Sequence, residues 1–191
     1  MSHASSSMAW GFLTVLSSEE QGLIGGYLVL NQAGRPLEFH CTAPVKPNRA
    51  QQILFGPTLE PYLYGEQIGQ TLVSKGTATP AVVYTDVPPA LAMRDFVDMP
   101  VALVLAAEES AADQASAATP GQPQWRVDRS HRLAGATMFA VGANRLAVTE
   151  RHRGDEKAIL GHWSALDPFD LTEPFERIRD AIAEAQRQSR A

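Results

Sequence analysis

Glu38, His40 and Thr42 alternate with Leu37, Phe39, Cys41 and Ala43. An extended chain sends successive side chains to opposite faces, so the three polar residues share one face and the apolar residues share the other. A carboxylate two residues from an imidazole can steady the ring for proton transfer. His40 is therefore the candidate general acid or base, with Glu38 or Asp86 in support. A solvated sheet face is the simpler account of the same row. The alternation also parts His40 from Cys41, which rules out a thiol and base acting together. Cys41, grouped with Leu37 and Phe39, is expected in the core.

Asp86 closes the apolar run 81–85 (AVVYT) and precedes Pro88 and Pro89. Open α/β sheets contact ligands at the carboxyl ends of their strands, just before a helix. An ordinary helix cap belongs at the same place. His131, His152 and His162, with Asp155 and Glu156, lack the spacing of a helical or finger-type metal site, so no metal is expected. The glycines at 22, 25 and 26 are followed by no helix, and the chain carries no phosphate-binding loop. No cofactor is expected.

Arg126, Arg129, Arg132, Arg145, Arg151 and Arg153 crowd one stretch and form a candidate anion-binding set. Asp128, Glu150 and Asp155 interleave with them, which also suits a solvated, ion-paired face. Gly65 and Gly69, four apart on a helical segment, leave one helix face bare and are the candidate interface.

These residues need elements to hold them. Residues 10–16 and 23–30 are apolar runs of strand length, and residues 31–34 (NQAG) form a turn in which Gly34 can take positive φ. With the alternating stretch 37–43 they predict a three-strand antiparallel meander. Asn48 is the expected N-cap of a helical segment that Gly56 and Pro57 interrupt. Thr58 restarts it, and Tyr64, Ile68 and Leu72 stack along it until Lys75 and Gly76. Residues 81–85, a short helix and residues 101–107 suit a parallel crossover. Residues 137–141 and 145–151 read as a hairpin. Asp170 and Glu173 have capping-box spacing ahead of a helix whose stripe is Leu171, Phe175, Ile178, Ile182 and Ala185.

The fold class is α/β (α+β): a mixed sheet that begins with a meander, a long helix on one face, and carboxy-terminal strands and helix. The expected boundaries are a disordered leader at 1–9, an α/β core at 10–107, a flexible linker at 108–124, and a strand-and-helix section of the same domain at 125–191. The linker is Ala, Ser, Gln and Pro rich and cannot bury enough apolar surface to order itself. The chain has 191 residues, 45% of them hydrophobic, enough for one domain with a real core.

Net charge is −5, which disfavours nucleic acid and anionic membrane as partners. The balance is uneven, with 5 basic and 11 acidic residues in 1–123 against 11 and 10 in 124–191. A single cysteine excludes an internal disulfide. The leader lacks a basic n-region, and the apolar run after it is shorter than the roughly 20 residues a bilayer needs. The sequence therefore reads as a non-enzymatic cytoplasmic interaction or scaffold protein, an oligomer or complex subunit with a protein partner. A small-molecule enzyme using His40 with Asp86 or Glu38 comes second. Binding of nucleic acid or another anion through the arginine cluster 126–153 comes third.

Overall fold

A mixed sheet of seven strands carries the molecule, in the spatial order β3-β2-β1-β4-β5-β7-β6. The computed structural model describes residues 8–18, 21–105, 135–163 and 169–190. The strands are β1 (Ala9–Ser18), β2 (Gly22–Asn31), β3 (Pro36–Cys41), β4 (Val82–Thr85), β5 (Val101–Leu105), β6 (Ala136–Val141) and β7 (Asn144–Thr149). The helices are α1 (Arg49–Phe55), α2 (residues 59–75), α3 (Asp155–His162) and α4 (Glu173–Arg190), with a 3₁₀ segment over Pro88–Asp95.

The predicted meander is present, since β1 pairs antiparallel with β2 and β2 with β3. Its second turn is built as its residues require. Asn31 Oδ1 accepts from the backbone N–H of Ala33 and Arg35, and Gly34 has φ +70°. β4 and β5 are parallel, and β1 is parallel to β4. The hairpin β6–β7 joins through β7 to β5, so this part of the carboxy-terminal section extends the same sheet. The leader, the linker and Arg126, Arg129 and Arg132 fall wholly or mostly outside the described residues.

Both faces are covered over the central strands, which is why β1, β2 and β4 are nearly continuous apolar runs. On one face Trp10, Phe12, Leu28, Leu30 and Tyr84 pack under the α4 stripe of Phe175, Ile178 and Ile182. On the other, Leu13, Tyr27, Val29 and Val83 meet Leu63, Ile68 and Leu72 of α2 and Met93 of the 3₁₀ segment. Gly25 and Gly26 allow this double packing. A Cβ on Gly25 would lie 2.2 Å from Ile68, and one on Gly26 would lie 2.3 Å from Ile178. The two glycines face opposite ways and admit one helix each.

Asn48 and Gln51 form the capping box that starts α1, and Gly56 with φ +49° ends it. The restart at Thr58 differs from the expectation: its hydroxyl donates back to Phe55 O and caps nothing. Residues Tyr62–Gln70 of α2 then wind loosely, in π-type turns. Asp170 also departs from a capping box. Its Oδ1 accepts from the backbone N–H and hydroxyl of Thr172, an Asx-type turn that leads into α4. Ala185 is exposed, so the stripe ends at Ile182.

Two side-chain placements correct the sequence reading. Cys41 is exposed, as are Leu37 at 48% and Phe39 at 39%. α4 covers β1 and β2 but does not reach the edge strand β3, so the apolar side of β3 is left open. Gly65 and Gly69 are covered by the chain itself. A Cβ on Gly65 would meet Ala92 and the backbone N of Met93 at 2.8 Å, and one on Gly69 would meet Met93 Sδ at 2.8 Å. The close approach expected at this helix face is made by the 3₁₀ segment and not by a partner.

Candidate functional site

β1 is longer than β4. Their last paired residues are Leu13 and Thr85, while β1 runs on to Ser18 against β2 alone. Beyond Thr85 the pairing of β4 with β1 ends, and among the described residues this makes a step in the sheet, a notch beside which Asp86 stands. The chain leaves β1 towards β2 on one side and leaves β4 towards β5 on the other. The carboxyl ends of β1 and β4 therefore form a topological switch point, where open α/β sheets receive ligands.

Three side chains meet there. Thr14 of β1 is buried, and it pairs in register with Gly26, the residue over which α4 crosses. Arg179, next to Ile178 on α4, donates through Nη2 to Asp86 Oδ2. The Arg179 side chain is 43% exposed and that of Asp86 18%. The guanidinium thus reaches from solvent down to a largely buried carboxylate. Burial pushes the Asp86 carboxyl above its ordinary range, while Thr14 and then Arg179 oppose that rise. The Thr14 hydroxyl falls short of a regular hydrogen bond, so Asp86 Oδ1 has no such partner among the described residues. A buried carboxylate with one oxygen paired and one unpaired is poised to take up a proton or a ligand donor.

Glu38 and His40 come together as the alternation requires, with His40 Nε2 3.3 Å from Glu38 Oε2. They lie on the α2 side of the sheet, because Tyr27, which pairs in register with His40, packs in the α2 core. Asp86 shares the α4 side with Tyr84, two residues before it. His40 and Asp86 therefore do not converge on one site. Glu38 is also engaged elsewhere. Its carboxylate accepts from the Thr77 hydroxyl, and from the backbone N–H of Thr77 at 2.9 Å and of Ala78 at 2.7 Å. The Thr77 hydroxyl, these two backbone donors and His40 hold Glu38 down to about 2, against the cost of burial. That is a latch from the edge strand to the loop after α2, and it leaves His40 beside a carboxylate already in use.

Two described arginines of the cluster, Arg151 and Arg153, have acidic partners. Arg151 Nη1 lies 3.3 Å from Asp95 Oδ1, and Arg153 Nη1 lies 3.4 Å from Glu150 Oε1. Asp155 is held by Arg94 at 2.7 and 3.2 Å, a pair that ties the 3₁₀ segment to α3. Among the described residues, no three His, Cys, Asp or Glu side chains are placed to hold a metal. No helix of the described residues is long and apolar enough to cross a membrane.

Sequence reasoning found Asp86 but missed Thr14 and Arg179. Thr14 had a visible signal, as a hydroxyl inside the run WGFLTVL where both faces are apolar. Arg179 had none, because it sits among the charged residues that flank the stripe of an amphipathic helix.

No family model matches the sequence, and no curated protein is similar to it. Among solved structures, the fold is similar to human endonuclease V at a TM-score of 0.52 and 15% identity, over 98% of this chain and 87% of that one. It is also matched, at a TM-score of 0.39 and 11% identity, to endonuclease V from Ciona intestinalis in complex with a 23mer DNA containing an inosine followed by a ribo-adenosine. That match covers 76% of this chain and 72% of the other. The likeness to the human enzyme is one of fold, and it confirms the α/β class with a mixed sheet. It also overturns two expectations. A non-enzymatic protein scaffold or oligomer is no longer the leading reading, and nucleic acid is no longer a disfavoured partner, since the fold is one that a nucleic-acid enzyme uses.

Proposed function

We propose that this chain acts on nucleic acid, engaging it at the notch between the ends of β1 and β4. In this reading Arg179 meets a backbone phosphate, and Asp86, steadied by Thr14, holds or exchanges a proton beside it. The observation that carries the reading is the largely buried Asp86 joined to the half-exposed Arg179 at the switch point of the sheet. Arginine has five donors in a planar fork, so a guanidinium bonded to Asp86 through Nη2 can still present others to a phosphate. The fold likeness to human endonuclease V supports the class of ligand. The net charge of −5 means that attraction must be local and not a property of the whole surface. A cytoplasmic location belongs to the same proposal and suits the single exposed thiol, Cys41.

Fluorescence anisotropy with labelled single- and double-stranded DNA and RNA tests the reading. Binding to at least one of them at about 50 mM salt is expected, weakening as salt rises. Arg179→Gln should raise Kd by about tenfold, the loss of one charge-assisted contact. Equal affinity of the variant for every polymer, or no binding by the wild type, refutes it.

A further inference from the structure

Metal-dependent nucleases displace phosphate esters with one or two divalent ions held by convergent carboxylates, and paired ions lie about 3.5–4 Å apart. Among the described residues the notch does not offer that donor set. The described side chains that engage Asp86 are Thr14, a neutral hydroxyl, and Arg179, a cation already bonded to Oδ2. No group of three His, Cys, Asp or Glu side chains among the described residues could complete a coordination shell. A guanidinium on Oδ2 takes that oxygen and leaves only Oδ1 to a metal, and it repels a second positive charge placed beside it. It also neutralises Asp86, which removes much of the attraction a divalent ion would feel.

We infer that Arg179, and not a divalent cation, supplies the positive charge at Asp86, so that this chain engages phosphate without a metal. The part of this that concerns phosphate rests on the nucleic-acid reading; the part that concerns the metal does not. Arginine suits the task because its charge persists at every physiological pH and its fork can bridge a carboxylate and a phosphate oxygen together. Half-exposure leaves the outer donors of Arg179 accessible while the inner one stays on Asp86.

The test begins with the free protein. Wild type titrated with Mn²⁺, followed by calorimetry and by electron paramagnetic resonance of the free ion, should show no saturable site at concentrations on the order of 1 mM. Thr14→Asp combined with Arg179→Ala places a second carboxylate at the notch and removes the guanidinium, and this variant should gain Mn²⁺ binding. Saturable Mn²⁺ binding by the wild type that is lost in Asp86→Asn overturns the inference, whether or not the double variant folds. Where oligonucleotide binding is present, chelation with EDTA should change Kd by less than about twofold, and a larger loss on chelation counts against the inference. Absence of oligonucleotide binding defeats the functional reading alone, because the metal titration needs no nucleic acid.

Discussion

Replacing Arg179 with glutamine tests the electrostatics of the notch through stability. The variant keeps most of the side-chain stem but leaves Asp86 without its counter-charge. A hydrogen bond to a charged group contributes about 1.5–3 kcal/mol when buried. Arg179 is 43% exposed, and solvent screening lowers that to about 1–2 kcal/mol. The loss must depend on pH, because only the charged carboxylate profits from arginine. Burial raises Asp86 in the folded protein above its unfolded value of 3.8. Between the two values the folded state binds more protons than the unfolded one, so this group's contribution falls as pH rises through the window. Removing Arg179 raises the folded value further and deepens that fall. Urea denaturation at about pH 7.5 should therefore show Arg179→Gln less stable by about 1–2 kcal/mol, with the difference shrinking towards about pH 4 as Asp86 protonates. A difference of the same size at both pH values, or none at either, refutes the argument. It would mean that Arg179 acts by packing or not at all.

The two glycines of α2 should behave differently. Gly65→Ala drives its methyl at the backbone N of Met93 and should cost about 1–3 kcal/mol in a thermal or urea melt. Gly69→Ala meets Met93 Sδ at 2.8 Å and the backbone O of Tyr64 only at 3.0 Å, so with its gain in helix propensity it should cost less than Gly65→Ala, about 0–2 kcal/mol. Glu38→Ala should cost about 1–3 kcal/mol near neutral pH and speed amide exchange at Thr77 and Ala78, whose N–H groups it releases. Glu38 is held at about 2 in the folded state, below its ordinary 4.5, so its contribution is present above the higher value and lost as pH falls through the lower one. Unchanged exchange at both amides removes the latch. Cys41 should react with a thiol reagent in the folded protein at a rate near that of the urea-unfolded chain; strong protection would place it back in the core.

Local architecture was legible in the chain. Apolar runs, the NQAG turn, the Asn48 cap and the tail-helix stripe each depend on residues a few positions apart, and all took the expected form or one close to it. The fate of particular side chains was a tertiary matter. Alternation grouped Cys41 with Leu37 and Phe39 correctly, but burial depended on whether α4 extended over the edge strand, and it does not. The bare face at Gly65 and Gly69 was legible as a site of close approach; what approaches it was not, since Met93 lies more than twenty positions away. The notch shows the same limit. Asp86 stood out because a strand end before prolines is a local signal. Thr14 and Arg179 joined it only when the parallel pairing of β1 with β4 and the crossing of α4 over Gly26 brought residues 14, 86 and 179 together. A constellation drawn from three distant segments has no period and no spacing in the chain, so only tertiary structure could assemble it.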